Sequence, residues 1–303
     1  MPDCSGRIPF YIDMTMVKHY KVADFTFSVC FGNKEQILTQ MRQYDPFVSE
    51  DTTDAPIFKL DIIDQSIDLN GLVYDGNQNE DGQEICVGHI DDHLFFEFRD
   101  RGRVVAQLLC SREFQKGQLY VISDYLFAVN NALMTMFMLA TSDKQTALFH
   151  SSVVSHDARG YMFLGKSGTG KSTHAQLWLK HIPDSTLVND DNPVVRIIEG
   201  KPYVYGSPWS GKTPCYRNEF YLLGGIVRLR QAPFNKIRRL NPLEAYSVIM
   251  PAVSGVRWVN TLASGIHETE TILARIVPVW YLDCLPDEAA ARLCYEACVN
   301  NQL

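Results

Sequence analysis

The sequence predicts an α/β (α+β) fold in which a mainly antiparallel β domain precedes a domain of alternating strands and helices. Short runs of alternating, β-branched and aromatic residues fill the first third of the 303-residue chain. The pattern changes after Ser123, where the apolar segment Leu126–Thr141 predicts a buried helix. Short apolar strands and helical segments then alternate to the C-terminus. We therefore expect a β-rich domain of unknown role over residues 1–117 and a second domain over residues 118–303, with the boundary near Gly117.

The predicted strands of the first domain are separated by turn residues. Asp91-Asp92 and Asp100-Arg101-Gly102 indicate hairpin turns, which favour an antiparallel sheet. Residues 75–81 are polar and predict a solvated loop. They fail as a calcium loop, because Glu80 occupies the glycine position and Cys86 the position of the closing glutamate. The strands are predicted at residues 20–31, 58–63, 84–90, 93–98 and 104–109.

In the second domain, the predicted elements surround one polar, glycine-rich segment. Ser123 and Asp124 are expected to cap and begin the helix at Leu126–Thr141. Strands are predicted at residues 146–155, 161–164, 186–189 and 221–229, and further helices at residues 173–180 and 286–299.

Composition is typical of a soluble globular protein and narrows the classes of partner. Hydrophobic residues make up 46% and charged residues 21%, so a large core can form without disulfides or structural metals. Cys294 and Cys298 are expected in that core. The net charge of −7 disfavours general nucleic-acid binding, which needs a basic surface. No apolar run is long enough to span a bilayer, and residues 1–10 lack the pattern of a signal peptide. We expect a cytoplasmic protein that binds neither nucleic acid nor membrane, and its oligomeric state stays open.

The polar segment after the strand at 161–164 matches the phosphate-binding pattern G-x-x-x-x-G-K-[ST]. Its glycines let the backbone wrap closely around phosphates, and the helix that follows adds its positive dipole end. Lys171 is expected to contact the β- and γ-phosphates of a nucleoside triphosphate, and the Ser172 hydroxyl to bind Mg²⁺. The expected nucleotide-binding residues are Gly165, Lys166, Ser167, Gly168, Thr169, Gly170, Lys171, Ser172 and Thr173.

The acidic pair Asp190-Asp191 follows a predicted strand roughly twenty residues after this P-loop. An enzyme that uses a P-loop to bind a nucleoside triphosphate with Mg²⁺ also needs an acidic residue near the metal, usually at the end of a neighbouring strand. One carboxylate is expected to hold Mg²⁺ and the other to accept a proton from the attacking hydroxyl. Because adjacent residues of a strand point to opposite sides, different roles are expected, and the place next to the strand favours Asp190 as the base. The alternative is a solvated acidic turn.

Three further features are candidate parts of the site. His150 ends the strand before the one that feeds the P-loop, where it either reaches the phosphates or an aspartate, or is a core histidine. Lys212 lies in a loop with Pro208 and Gly211 and is expected to neutralise the transferring phosphoryl group. The basic residues between 228 and 239 form either a solvated face or a dock for the acceptor.

These residues together resemble the catalytic domain of HPr kinase/phosphorylase, which shares its fold with ATP-dependent phosphoenolpyruvate carboxykinase. The resemblance rests on His150, on the loop and preceding strand at residues 163–172, and on Val188-x-Asp190-Asp191. The sequence also looks close to kinase-like relatives that carry a Pro-x-x-Gly-basic loop after the acidic pair. The resemblance implies a C-terminal P-loop lobe with a mixed β-sheet and helices. It further implies ATP, Mg²⁺ and transfer to a serine hydroxyl, in a site formed by His150, Lys171, Ser172, Asp190 and Asp191.

Two departures from these families limit the expected reaction. Thr173 stands where the HPr kinase loop usually continues with glutamate. Asn192-Pro193 follows the acidic pair, whereas the carboxykinase pattern continues with Glu-His. Decarboxylation and HPr itself as substrate are therefore not favoured. The leading hypothesis is an ATP- and Mg²⁺-dependent kinase that phosphorylates a protein serine or a small molecule. A nucleotide-dependent switch or ATPase module is the alternative, and a carboxykinase is a third.

Overall fold

A computed structural model describes residues 16–51, 55–80, 82–123, 125–211 and 213–300 of the chain. Several residues used in the sequence predictions lie outside these ranges: residues 1–10, Asp81 at the end of the polar segment, Asp124 at the helix start, and Lys212. The described residues form two mixed sheets with helices, which confirms the mixed α/β character of the predicted fold.

The first sheet contains eight strands within the described residues, in the order β1-β2-β3-β8-β7-β6-β5-β4. Most neighbours are antiparallel, but β3 is parallel to both β2 and β8. A short helix, α1 (Glu35–Gln40), and a 3₁₀ segment, Arg42–Phe47, lie between β2 and β3. The strands are β1 (Val17–Val22), β2 (Phe25–Cys30), β3 (Lys59–Ile63), β4 (Leu72–Glu80), β5 (Gln83–Ile90), β6 (His93–Asp100), β7 (Arg103–Cys110) and β8 (Lys116–Val121).

The polar loop predicted at residues 75–81 is wrong, because most of this segment belongs to strand β4. Its backbone pairs with β5, with Asn77 opposite Cys86. The hydrophobic pattern could not indicate this strand, since β4 lies at the sheet edge and its described side chains are largely exposed. The strand predicted at 20–31 is instead the hairpin β1–β2, which turns at Ala23 and Asp24 with φ values of 48° and 62°.

Helix α2 (Leu126–Thr141) has the predicted bounds and lies in the core beside β7 and β8. Ala132, Leu133 and Met136 are fully buried. Its N-cap is Tyr125, without a side-chain cap, so the N-cap predicted at Ser123 is wrong. Ser123 adopts a φ of 54° outside the helix.

The second sheet contains nine strands within the described chain. The path β12-β10-β11-β15-β14-β13-β9 is extended by β17, which pairs with β15 and β16. Strands β11, β15 and β17 are parallel, and β10 is antiparallel to both β11 and β12. The strands are β9 (Thr146–Leu148), β10 (Ser151–His156), β11 (Arg159–Leu164), β12 (Thr186–Asp191), β13 (Val194–Ile198), β14 (Lys201–Tyr205), β15 (Phe220–Gln231), β16 (Lys236–Arg239) and β17 (Val279–Cys284).

Within the described residues, four helices cover this sheet on its two faces. Helices α3 (Lys171–His181) and α6 (Glu288–Cys298) pack through Ala175, Trp178 and Cys294 on one face. Helices α4 (Pro242–Ile249) and α5 (Asn260–Ile276) pack on the other. Cys294 and Cys298 are buried in the first of these cores, as expected. None of the described helices combines the length and apolar character needed to cross a bilayer.

The single strand predicted at 146–155 is wrong, because the chain leaves the sheet at Phe149 and His150. Strand β9 pairs with β13, whereas β10 pairs with β11 and β12. The backbone N–H groups of Phe149 and His150 donate instead to the carbonyls of Pro193 and Ala252. An uninterrupted run of apolar residues carries no signal for such a change of partner.

The two sheets are joined by a shared core and by polar contacts. Tyr205 at the end of β14 and Trp209 in the loop after it are buried in the same apolar cluster as side chains of the first sheet. Arg196 and Tyr205 both donate hydrogen bonds to Asp24, over 3.3 and 2.8 Å. Gly117, the predicted boundary, lies inside β8, and the division into two domains stays a prediction.

Candidate nucleotide site

The P-loop connects the end of β11 to the start of α3. Gly168 and Gly170 have φ values of 76° and 105°, which residues with a Cβ rarely adopt. A Cβ on Gly165 would lie 2.9 Å from the Cβ of Thr169, so the loop can close tightly only with glycine there. Gly170 is the N-cap of α3 and supplies no side-chain acceptor. The first N–H groups of α3 are therefore available to an anion.

Lys171 is buried at the first position of α3, and its ammonium contacts Gly165 and His150. Its Nζ donates to the Gly165 carbonyl over 3.1 Å and lies 2.8 Å from His150 Nε2. Since the ammonium has only donors, Nε2 accepts from it, which assigns the donor role to Nδ1. Nδ1 lies 3.2 Å from Asp191 Oδ1 and donates to that carboxylate. His150 therefore links the P-loop lysine to the acidic pair.

The acidic pair ends β12, two strands away from the strand that feeds the P-loop. In the register of β10 and β12, Ser152 faces Asp190 and Ser151 faces Asp191. Ser152 donates a hydrogen bond to Asp190, which is only 4% exposed. The Asp191 side chain is 33% exposed. The two carboxylates thus have different surroundings, as the alternation of a strand predicts.

The loop after β14 closes over the acidic pair. Gly211 N–H donates to the Asp190 carbonyl over 2.7 Å, and Ser210 forms a β-bridge with Asp191. Asn192 N–H donates to the Trp209 carbonyl over 3.1 Å. The segment predicted to carry Lys212 therefore lies beside Asp190 and Asp191, although Lys212 itself is outside the described residues.

A cavity of about 660 Å³ lies on the other side of the P-loop. Gln231, the last residue of β15, donates from Nε2 to the carbonyls of Gly168 and Thr169 over 3.3 Å each. The cavity has the size of a small-molecule site. Its walls are Gly168, Thr169, Gly170, Thr173, His174 and Leu177 from the P-loop and α3, Leu229, Gln231, Ala232 and Pro233 at the end of β15, and Cys284, Leu285 and Pro286 at the end of β17.

Sequence reasoning missed this cavity because its walls come from three distant segments without a motif. The usable signal was positional, since the ends of parallel strands beside a P-loop strand face the same edge. The basic stretch at 228–239, in contrast, is partly neutralised. Arg230 pairs with Asp283 over 2.5 Å and Arg238 with Glu244 over 2.9 Å.

Comparisons with known proteins give a distant likeness to a solved structure. No protein-family model and no curated protein matches the chain. Among solved structures, the HPr(Ser) kinase/phosphatase from Coxiella burnetii is similar over 51% of this chain and 94% of its own, with 12% identity and a TM-score of 0.31. This likeness is too distant to bear on the activity of the chain.

Ser152→Ala should destabilise the fold, because it removes a donor from the buried Asp190 carboxylate. We expect a loss of about 1 to 3 kcal/mol in the free energy of unfolding, measured in urea. Ser151→Ala is the matched control, since the buried Ser151 Oγ has no hydrogen-bond partner among the described residues. Equal effects of the two substitutions would show that the Ser152–Asp190 contact contributes little.

Proposed function

We propose that this chain binds Mg·ATP in the P-loop and transfers the γ-phosphoryl group to a hydroxyl of a protein serine or a small molecule. The observation that carries the proposal is the contact sequence Lys171–His150–Asp191, which joins the phosphate loop to a carboxylate. A P-loop alone needs only its lysine and its N–H groups to bind phosphate. Phosphoryl transfer also requires an acidic residue beside the phosphates, as metal ligand or as base, and Asp191 supplies that residue.

The P-loop residues bind and orient the triphosphate. The N–H groups at the start of α3 and the Lys171 ammonium face charge that develops between the β- and γ-phosphates. Ser172 is exposed in the first turn of α3, and its hydroxyl, like the nearby carboxylates, is a hard oxygen donor suited to Mg²⁺. When bound, Mg²⁺ neutralises phosphate charge. Lys171 exchanges its contacts with Gly165 and His150 for phosphate oxygens.

Asp191 is the carboxylate that works at the phosphoryl group, as metal ligand or as base. It is the more exposed of the pair, and His150 connects it to Lys171. Asp190 is buried against Ser152 and holds the loop at Gly211 through its carbonyl. We therefore assign Asp190 a positioning role, which reverses the sequence-based preference for Asp190 as the base.

The cavity beside the P-loop accommodates the nucleoside. Leu177, Leu229 and Pro286 offer apolar surfaces to a base, and the described lining contains no carboxylate that would accept from the N–H groups of guanine. The Gln231 amide donates to the P-loop through Nε2, which leaves its oxygen as an acceptor for an amino group. These features favour adenine.

Lys171→Ala should abolish the turnover of Mg·ATP while the protein stays folded. The lysine charge is needed most in the transition state, so we expect at least a hundredfold loss of kcat, on the order of 3 kcal/mol. Phosphate release from Mg·ATP is the measurement, and a melting curve checks the fold. Lys180→Ala, at an exposed position of the same helix, should behave as wild type. Activity within about threefold of wild type in Lys171→Ala would contradict the proposed site.

Asp191→Asn and Asp190→Asn should differ in kind. Asp191→Asn should lower turnover strongly without loss of stability, and a Mg²⁺ titration assigns its role. A higher Mg²⁺ requirement marks a metal ligand, whereas a lower kcat at saturating Mg²⁺ marks a base. Asp190→Asn should chiefly lower the melting temperature. If Asp191→Asn bound Mg²⁺ and turned over ATP as wild type does, the nucleotide-switch alternative would replace the kinase.

Ala232→Trp should obstruct the nucleoside cavity and leave the phosphate loop intact. We expect the Kd for Mg·ATP to rise by about tenfold or more, whereas the Kd for Mg-pyrophosphate, which has no base, should stay unchanged. Calorimetry measures both. Leu243→Trp, at a position that is 80% exposed, is the matched control. A parallel weakening of pyrophosphate would place the cavity outside the nucleoside site.

A further inference from the structure

Tyr44, in the 3₁₀ segment Arg42–Phe47 of the N-terminal region, is fully buried and lies far from the P-loop in sequence. Its hydroxyl donates to Asn130 Oδ1 of α2 over 2.7 Å and accepts from Trp209 Nε1 over 3.0 Å. Burial raises the pKa of this hydroxyl, so it stays protonated and keeps both hydrogen bonds. A tyrosine in an apolar cluster is thus tied to two polar partners from different parts of the chain.

Trp209 connects Tyr44 to the segment that contains the acidic pair. Its ring, 1% exposed, packs against Phe137 of α2 with ring centroids 5.2 Å apart. Its carbonyl accepts from Asn192, the residue after Asp191. Two residues further on, Gly211 donates to the Asp190 carbonyl. The loop that borders both carboxylates is therefore anchored on the N-terminal region at Trp209.

A second contact fixes the other end of the same loop. Asn218 Nδ2 donates to the Pro46 carbonyl over 3.0 Å. Pro46 belongs to the same 3₁₀ segment as Tyr44. The segment thus holds the loop between β14 and β15 at two places, and the acidic pair lies against the part between β14 and Gly211.

We propose that Tyr44 is a positioning residue for the acidic pair, and that the N-terminal region thereby sets the geometry of phosphoryl transfer through the Tyr44–Trp209 contact. This inference rests on the proposed function, because it concerns the same carboxylates. The segment touches neither the P-loop nor the nucleoside cavity through the contacts named above. Loss of the Tyr44 hydroxyl should therefore disturb the acid half of the site, which consists of Asp190 and Asp191. It should leave the phosphate half, which is the P-loop, unchanged.

Tyr44→Phe is the test, since it keeps the ring and removes only the hydroxyl. Two quantities are measured on the full chain. The first is the Mg²⁺ concentration at which Mg²⁺ exerts half of its maximal effect on the affinity for ADP. The second is the rate of phosphate release from Mg·ATP. We expect turnover to fall by about tenfold, because small displacements of a catalytic group have effects of this size. The Mg²⁺ requirement should rise severalfold, and ADP affinity without Mg²⁺ should stay within about twofold of wild type.

Tyr20→Phe is the matched control. Tyr20 is buried in the same cluster with its ring centroid 5.3 Å from that of Tyr44, but it makes no hydrogen bond to residues 206–211 among those described. It should retain wild-type turnover and Mg²⁺ requirement. Equal losses in both variants would reveal a general effect of core stability and overturn the positioning role.

The outcomes separate this inference from the proposed function. A wild-type chain that binds no ADP overturns the nucleotide site itself and the inference with it. A wild-type chain that binds ADP and needs Mg²⁺, paired with a Tyr44→Phe chain indistinguishable from it in both measurements, overturns the inference alone.

Discussion

The site depends on the point where the chain leaves the sheet between β9 and β10. At that point the backbone N–H groups of Phe149 and His150 bond to Pro193 and Ala252 instead of a neighbouring strand. This departure places the His150 side chain between Lys171 and Asp191. Without it, the P-loop and the acidic pair would be two separate polar features at one sheet edge. The interruption of a buried strand is thus what gives the site its connected geometry.

The surrounding packing explains how this geometry is kept. Apolar cores on both faces of the second sheet fix β10, β11 and β12, so the groups at their ends have little freedom. The buried side chains of Ser152 and Asp190 are held together by a hydrogen bond. The rigid frame thus positions the loops that form the candidate site.

The sequence was informative where structure is encoded in neighbouring residues. The bounds of α2 and the strand–loop–helix order around Gly165 follow from apolar periodicity and from the requirements of glycine. The sequence was uninformative where pairing between distant residues determines the secondary structure. Strand β4 forms because its backbone pairs with β5, and polar residues such as Asn77 do not indicate a strand by themselves. Likewise, no local pattern could place Trp209 against Tyr44 or Gln231 against the P-loop.

The contacts of the site differ widely in the length of chain that each one closes. His150 and Lys171 are 21 residues apart, whereas Tyr44 and Trp209 are 165 apart. Three doublings of loop length separate these values, so the long contact costs about 2 kcal/mol more in loop-closure entropy. We expect the phosphate half to assemble early in folding, from local contacts. The anchoring of the acid half on the N-terminal region would then be among the last steps, after the P-loop and its contact with His150 have formed.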